Sequence, residues 1–221
     1  MTRIVFGNLF GNLVRVGLAS MILADGITHA EEPVAGRDFT VVEPAVSMGE
    51  QNKIVVTEFF SYQCPHCYAF SRPLEAWAAK LPADVVFRRE SVTIGHDTWE
   101  PSARTFYVLE SLGKLRELDA KLFDAIHQEG LPLLSQLGIG TWVSQHGVSW
   151  ESFDAEYRSP KVDAKFKRGQ QLAAAHLIPS VPTISVDGKY LVAIVGNVDY
   201  GVQLAKVEAL IAKVRAERKK K

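Results

Sequence analysis

Residues 58–70 read Glu-Phe-Phe-Ser-Tyr-Gln-Cys-Pro-His-Cys-Tyr-Ala-Phe, and this stretch decides the fold. An apolar run typical of a buried strand ends in a short loop, and a helical pattern begins at Pro65. Cys64 and Cys67, the only two cysteines among 221 residues, lie at this junction. A cysteine at a helix start is close to unpaired backbone N–H groups and to the positive end of the helix dipole, which favour thiolate over thiol. The stretch therefore predicts a reactive thiol pair.

The composition is that of one globular unit. Hydrophobic residues make up 47% of the chain, which is enough to fill a core and excludes disordered and fibrous classes. Lys and Arg number 25, as do Asp and Glu, so the formal net charge is zero. No overall charge favours nucleic acid or an anionic membrane, and we expect no nucleic acid partner.

Residues 1–30 have the pattern of a secretory signal peptide. Arg3 and Arg15 precede an apolar run at residues 16–24, and small residues follow at cleavage-type positions up to Ala30. The run is much shorter than the roughly 20 residues that a membrane span requires. A disordered tail and a weak amphipathic anchor are the alternatives. A signal peptide predicts export from the cytosol to an oxidising compartment.

Export changes the interpretation of the cysteine pair. An oxidising compartment allows Cys64 and Cys67 to exist as a disulfide. Only two residues lie between the cysteines. A disulfide that closes so short a loop removes little conformational entropy from the unfolded chain, so we do not expect its purpose to be stabilisation of the fold. Half of a zinc site is the structural alternative, but zinc normally takes four ligands and the chain has no third cysteine. We therefore expect a redox-active disulfide, with no metal and no cofactor.

Hydrophobic periodicity predicts an α/β fold with an all-helical block in the middle of the chain. Strands are predicted at 39–42, 53–60, 85–91, 181–186 and 189–195, and helices at 65–80, 101–112, 114–128, 139–146, 149–158, 160–176 and 200–218. The strand at 39–42 is predicted at an edge of the sheet and the strand at 85–91 at a central position. Asp187-Gly188 between two apolar runs indicates a tight hairpin of the primed turn types.

The order of these elements is a thioredoxin-like topology with an inserted all-helical subdomain. The cysteines lie within a predicted parallel β-α-β unit with a right-handed crossover. It consists of the strand at 53–60, the helix at 65–80 and the strand at 85–91. Residues 31–95 and 178–221 are the two parts of the thioredoxin-like domain in this interpretation, and residues 96–177 are the insertion.

Three residues of the motif have predicted chemical roles. Cys64 is the candidate nucleophile, because the helix N-terminus lowers the pKa of its thiol. His66 strengthens this effect by hydrogen bonding or by charge, with an exposed loop histidine of no influence as the alternative. Cys67 lies in the first helical turn, is less exposed and is the candidate resolving thiol. Stabilising the Cys64 thiolate stabilises the reduced form, which makes the disulfide a stronger oxidant.

Two residues outside the motif complete the candidate site. Glu58 lies inside the predicted buried strand, so its pKa should be raised and it is suited to pass protons to or from Cys67 through water. The alternative is that Glu58 faces a lysine or reaches solvent. Pro182 is on one interpretation only a strand boundary. In this topology its loop also abuts the helix that carries Cys64, where a cis bond would expose the backbone of Val181 to an extended substrate chain.

Four segments together resemble the DsbA family of periplasmic thiol:disulfide oxidoreductases. They are Glu58-Phe59-Phe60-Ser61, Cys64-Pro65-His66-Cys67-Tyr68, Val181-Pro182-Thr183 and Val186-Asp187-Gly188-Lys189-Tyr190, within a similarity over residues 36–218. The resemblance implies a monomeric thioredoxin fold with a helical insertion. Matched position by position, it makes Cys64 the attacking cysteine, Cys67 the buried cysteine, Pro65 and His66 the dipeptide that sets redox character, Glu58 the buried acid, and Pro182 the cis-proline preceded by Val181.

The resemblance also implies partners. A family member gives its disulfide to reduced, unfolded exported proteins and is reoxidised by a quinone-linked membrane thiol oxidase of the DsbB type. An isomerase or reductase on the same fold is the nearest alternative function. A peptide-binding chaperone, for which the sulfurs are unimportant, is the alternative from another class.

Overall fold

A computed structural model describes residues 33–50, 52–194, 196 and 198–220. The predicted signal peptide at residues 1–30 lies outside these residues. The strands are β1 (Thr40–Val41), β2 (Ile54–Phe60), β3 (Val85–Ser91), β4 (Thr183–Val186) and β5 (Tyr190–Ala193). The helices are α1 (Pro65–Ala78), α2 (Glu100–Ser111), α3 (Leu115–His127), α4 (Gln136–Gln145), α5 (Trp150–Tyr157), α6 (Pro160–Ala175) and α7 (Tyr200–Arg218), with a 3-10 turn at Asp97–Trp99. Within the described ranges, no helix is long and apolar enough to cross a membrane.

The five strands form one mixed sheet with the order β1-β5-β4-β2-β3. Strand β2 is parallel to β3 and antiparallel to β4, so it lies inside the sheet. Every residue of β2 is buried, as its continuous apolar and β-branched run predicts. Helices α2–α6 lie between β3 and β4 in the chain and form the helical insertion. The predicted α/β class, with a thioredoxin-like fold and an inserted helical block, is confirmed.

Strand β3 is at the edge of the sheet, so the prediction of a central position for residues 85–91 was wrong. The middle of β3 is charged, with Arg88, Arg89 and Glu90 in succession. A central strand covered on both faces would bury at least one of these charges, whereas an edge strand tolerates them. The predicted edge position of the first strand is confirmed by β1, which pairs only with β5 among the described strands.

The core consists of two clusters, and the cysteines belong to one of them. The first cluster contains Phe70 of α1 together with Val207 and Ile211 of α7. The second contains Cys64 and Cys67 together with apolar residues of the helical insertion. The insertion therefore supplies part of the surroundings of the thiol pair.

The predicted tight turn between β4 and β5 is present. Asp187 and Gly188 have φ values of 57° and 66°, as a type I′ turn requires of both central residues. The N–H of Lys189 donates to the carbonyl oxygen of Val186 at 3.1 Å and closes the turn. A Cβ atom on Gly188 would be 1.9 Å from the carbonyl oxygen of Val46, so this position requires glycine for space as well as for conformation.

Candidate active site

The chain turns sharply between β2 and α1, and this turn places Cys64 at the start of the helix. The N–H of Cys64 donates to the carbonyl oxygen of Ser61 at 3.2 Å, and its own carbonyl accepts the first helical hydrogen bond, from Tyr68 at 3.1 Å. Pro65 occupies the first helical position, where its missing N–H costs nothing. Cys64 has only 5% of its surface exposed, and Cys67 has none. Both are free thiols in this structure.

The two thiols have opposite pKa shifts. The pKa of Cys64 is lowered from 9.0 to about 6, chiefly because the thiol of Cys67 donates a hydrogen bond to its sulfur. The backbone N–H groups of Cys67 and His66 add to this effect and outweigh the opposing burial, and the charge of His66 contributes least. The pKa of Cys67 is raised well above its usual value by burial, by that hydrogen bond and by the negative charges of Cys64 and Glu58. In the reduced state the negative charge therefore belongs on Cys64.

Pro65 and His66 are the exposed residues of the motif. They directly follow Cys64 in the chain, so the exposed surface next to this cysteine is formed in part by their side chains. Within the described residues, no three His, Cys, Asp or Glu side chains are grouped so as to hold a metal ion.

The loop before β4 reaches Cys64 because of the strand order. Thr183, the first residue of β4, pairs with Phe59 near the end of β2, so the residues before Thr183 lie beside the start of α1. The Val181–Pro182 peptide bond is cis. When Cys64 is protonated, its thiol donates to the carbonyl oxygen of Val181, with the sulfur 3.4 Å from that oxygen. Cys64 and Pro182 are 118 residues apart in the chain. The segments that carry them, which we predicted to meet, are thus in contact.

Glu58 is fully buried and paired with a cation. The Nε of Arg89 donates to Oε2 of Glu58 at 2.7 Å, so the alternative in which a cation faces Glu58 is partly right, but the cation is an arginine. No described residue forms a hydrogen bond with its other oxygen, Oε1. The pKa of Glu58 is raised, because burial outweighs the charge of Arg89. Its charge in turn contributes to the raised pKa of Cys67.

Arg89 joins two carboxylates, and the sequence analysis missed this connection. Its Nη1 donates to Oδ2 of Asp119 on α3 at 2.7 Å, and the hydroxyl of Tyr62 donates to the other oxygen of Asp119. The guanidinium lies 3.9 Å above the ring of Phe60, a cation–π contact. Parallel pairing of β2 and β3 places Glu58 directly opposite Arg89. This register would have predicted the pairing of Glu58 with Arg89. Nothing in the local sequence indicates that Asp119 also binds Arg89.

The helical insertion holds the residues that precede Cys64. The Nε2 of His127 lies 2.7 Å from the carbonyl oxygen of Tyr62, which accepts its hydrogen. The side-chain amide of Gln63 donates to the carbonyl oxygen of Leu133 at 3.0 Å. The ring of His127 also stacks on Tyr68, with 4.9 Å between ring centroids. The turn before the thiol pair is therefore fixed from both sides, by the sheet and by the insertion.

Relatives with known names cover nearly the whole chain. The thiol:disulfide interchange protein DsbA of Pseudomonas aeruginosa is 33% identical over 212 residues, 95% of this chain and 99% of the relative. The protein of the same name from Azotobacter vinelandii is 32% identical over 190 residues, 86% of this chain and 87% of the relative. No protein-family model matches the chain.

Solved structures agree with the sequence comparison. The crystal structure of Pseudomonas aeruginosa DsbA superimposes with a TM-score of 0.81 at 33% identity, covering 86% of this chain and 98% of the other. The oxidoreductase DsbA from Xylella fastidiosa gives a TM-score of 0.77 at 29% identity, covering 84% and 99%. With an identity of this size over almost the full length, and a cysteine pair at the start of α1, the chain belongs to the DsbA family and is a thiol:disulfide oxidoreductase.

Proposed function

We propose that this protein is a dithiol oxidase that donates the Cys64–Cys67 disulfide to reduced cysteines of exported proteins. The observation that carries the proposal is the opposite pKa shift of the two thiols, with Cys64 at about 6 and Cys67 raised. A thiolate stabilised on Cys64 stabilises the reduced enzyme, so the oxidised enzyme gives up its disulfide readily. A thiol of low pKa is also the better leaving group when the mixed disulfide is resolved.

The reaction has two thiol exchanges. A substrate thiolate attacks Sγ of Cys64, the Cys64–Cys67 bond breaks, and Cys67 leaves as a thiolate that takes up a proton. A second substrate thiolate then attacks the substrate sulfur of the mixed disulfide and expels the Cys64 thiolate. Two electrons pass from the substrate thiols to the enzyme, and the substrate gains one disulfide. One of the two protons released by the substrate goes to Cys67 and the other to solvent.

Main-chain groups beside Cys64 orient the substrate. The carbonyl oxygen of Val181, 3.4 Å from the Cys64 sulfur, is placed to pair with the backbone of an extended chain whose cysteine has reacted. Pro182 fixes this loop ahead of β4, and His66 is an exposed residue two positions after Cys64. In our proposal Val181, Pro182 and His66 therefore bind substrate.

Glu58 serves the proton transfer to Cys67. Its unpaired Oε1 is buried and its charge already affects the pKa of Cys67. A buried carboxyl of raised pKa is suited to exchange a proton with a thiol that is otherwise closed to solvent, through one intervening water. Without this exchange, Cys67 would have to leave as an uncompensated buried thiolate.

The DsbA family acts on substrate proteins and is reoxidised by a membrane partner, and family members are periplasmic. For this chain we propose reduced, unfolded exported proteins as substrates and a quinone-linked membrane thiol oxidase of the DsbB type as the reoxidising partner. We also propose that residues 1–30 are the signal peptide and that the mature enzyme is a monomer.

The test is the redox equilibrium of the cysteine pair against glutathione, with the thiolate absorbance of Cys64 followed against pH on the same sample. A strongly oxidising couple and a midpoint near pH 6 support the oxidase. A reducing couple with a near-neutral or higher midpoint would instead indicate a reductase. The variant carrying Cys64→Ser and Cys67→Ser must fail to oxidise reduced peptides, and full function of that variant in cells would indicate a chaperone.

A further inference from the structure

A buried histidine connects the end of α6 with the strands that lead to the thiol site. His176 directly follows α6, and none of its surface is exposed. Its ring packs against the ring of Phe59 near the end of β2, with 5.2 Å between the ring centroids. Phe59 pairs in turn with Thr183, the residue that follows Pro182. No step of the proposed reaction uses this histidine.

Only one nitrogen of the ring has a partner among the described residues. Nδ1 of His176 lies 2.7 Å from the carbonyl oxygen of Leu172, which accepts its hydrogen. In a neutral ring Nε2 then carries no hydrogen and can only accept a hydrogen bond. Nε2 is buried, and no described residue forms a hydrogen bond with it. The closed fold therefore holds this ring at a cost in free energy.

Protonation would place an uncompensated charge at this position. Burial lowers the pKa of His176 and outweighs the opposing effect of the hydrogen bond to Leu172. Within the part of the chain that the structure describes, no charged side chain adds to either effect. The closed fold therefore accepts the neutral ring and disfavours the protonated one.

Titratable residues on the elements around the histidine point elsewhere or are already paired. On β3, Glu90 is opposite Phe59, but its Oε2 accepts a hydrogen bond from the hydroxyl of Tyr107 at 2.9 Å. On β2, Glu58 precedes Phe59 and so points to the other face of the sheet. The nearest titratable residue before the histidine in α6 is Arg168, about two turns away, and β4 has none. None of these residues neutralises a protonated ring.

The segment 177–180 follows the histidine and is held closed by few contacts. The N–H groups of Leu177 and Ile178 donate to carbonyl oxygens in the last turn of α6, at 3.0 and 3.1 Å. Leu177 has φ 52°, in the left-handed region that favours glycine. The hydroxyl oxygen of Ser180 is buried, and no described residue forms a hydrogen bond with it. Opening would relieve both costs and admit water to the ring, so we expect this segment to open before the rest of the fold.

The closed segment holds Val181 at the reacting sulfur. Val181 directly follows Ser180, and its carbonyl oxygen is 3.4 Å from Sγ of Cys64. The hydroxyl of Thr183 donates to the carbonyl oxygen of Ser180 at 2.8 Å and ties the segment to the start of β4. Because one peptide bond joins Ser180 to Val181, the contact at Cys64 depends on the segment being closed.

We infer that His176 is a positioning residue of the disulfide exchange. Its neutral ring keeps the segment 177–180 closed and Val181 at Cys64, and its protonation opens the segment. The inference rests on the proposed function, in which Val181 orients the substrate. In acid the enzyme therefore loses the alignment of its substrate before it loses its fold.

Hydrogen exchange of the oxidised wild type at pH 7 and pH 5 is the first test, with correction for the effect of pH on chemical exchange. A histidine that reaches water has a pKa of about 6.5, so the open form gains up to about 25-fold over the closed form between these pH values. Peptides that cover residues 177–180 should show this increase. Peptides that cover β2 should not.

The second test is the rate at which a peptide with two reduced cysteines, in excess, reduces the oxidised enzyme at the same two pH values. His176→Leu does not titrate and keeps an apolar side chain against Phe59. His176→Asn does not titrate either and keeps an N–H donor near the position of Nδ1. Cys64 and the peptide thiols titrate alike in all the proteins, so their effects cancel in the ratio of wild-type rate to variant rate. We expect this ratio to fall at least about twofold from pH 7 to pH 5 for both variants, since only the wild type opens.

His146→Leu is the matched control. His146 also follows a helix, α4, and its Nδ1 lies 2.8 Å from the carbonyl oxygen of Trp142, four residues earlier. It belongs to the insertion and does not precede the loop at Val181. The ratio of wild-type rate to His146→Leu rate should therefore be the same at both pH values.

Unchanged exchange of residues 177–180, or an equal increase in β2, would overturn the inference. So would a rate ratio that does not change for the two His176 variants, or one that changes equally for His146→Leu. All of these results leave the proposed oxidase intact, because the peptide is still oxidised at pH 7. An enzyme that does not oxidise the peptide at pH 7 would refute the proposed function itself, and the exchange measurement would still test the role of His176 in the loop.

Discussion

Replacing Arg89 by methionine tests whether the ion pair behind the cysteines holds the fold together. The variant loses both 2.7 Å ion pairs and leaves Glu58, which is fully buried, without its cation. Removing one partner of a buried pair costs about 3–5 kcal/mol, because the remaining charge is uncompensated. Asp119 is partly exposed, so water can solvate its carboxylate once Arg89 is removed. We therefore assign the loss of folding free energy to Glu58. A typical domain has about 5–15 kcal/mol of stability, so this variant should lose a large share of it.

Arg88→Met is the matched control, since Arg88 is the adjacent residue of β3 and pairs with the exposed Glu50 at 2.6 Å. We expect it to cost no more than about 1 kcal/mol. Urea unfolding at pH 7 of the reduced protein, followed by circular dichroism, measures both variants. Adding Glu58→Gln to Arg89→Met should restore at least about 2 kcal/mol, because the buried charge is gone. Equal losses for the two arginine variants, or no recovery in the double variant, would refute the reasoning.

Three further predictions concern single residues. The thiolate absorbance of Cys64 in the reduced protein should titrate with a midpoint of about 6, and a midpoint above 8 would contradict the assigned hydrogen bonds. Burial lowers the pKa of His176, so the folded protein disfavours the charged form of this side chain. As pH falls below about 6.5, the wild type should therefore lose up to about 1.4 kcal/mol of stability per pH unit relative to His176→Leu, as measured by unfolding. Gly188→Ala should lower the free energy of unfolding by more than the roughly 1–2 kcal/mol expected for Gly113→Ala. Both glycines have positive φ, but only Gly188 is crowded by Val46, so equal melting temperatures of the two variants would contradict this prediction.

The parts of the fold that depend on local pattern were predictable. Strand β2 follows from a β-branched apolar run, and the turn at Asp187 and Gly188 follows from the backbone freedom of those residues. Helix α4 begins at Gln136, three residues before its predicted start, because Ser135 caps it by accepting a hydrogen bond from Gly138 at 3.1 Å. Two glycines near that start weaken the helical pattern, so the cap was the better signal.

The candidate site was also predictable only where it depends on local sequence pattern. Only two residues separate Cys64 from Cys67, so the hydrogen bond from the second thiol and the N–H groups of the helix start, which together lower the pKa of Cys64, both follow from one short segment of the chain. The partner of Glu58 required the register of two strands, which an apolar pattern does not specify for Arg89. Asp119 is held to Arg89 across the boundary between sheet and insertion, so it depends on tertiary packing alone.

Two hydrogen bonds limit how far the helical insertion can be removed or exchanged. They join His127 to Tyr62 and Gln63 to Leu133. A modular insertion can be deleted, or exchanged with that of a relative, without disturbing the domain that receives it. Here a chimera would also have to reproduce a histidine at the end of α3 and the backbone path of the loop after it. Divergence among relatives should accordingly be freest on the outer surface of the insertion and most restricted along the side that faces the thiols.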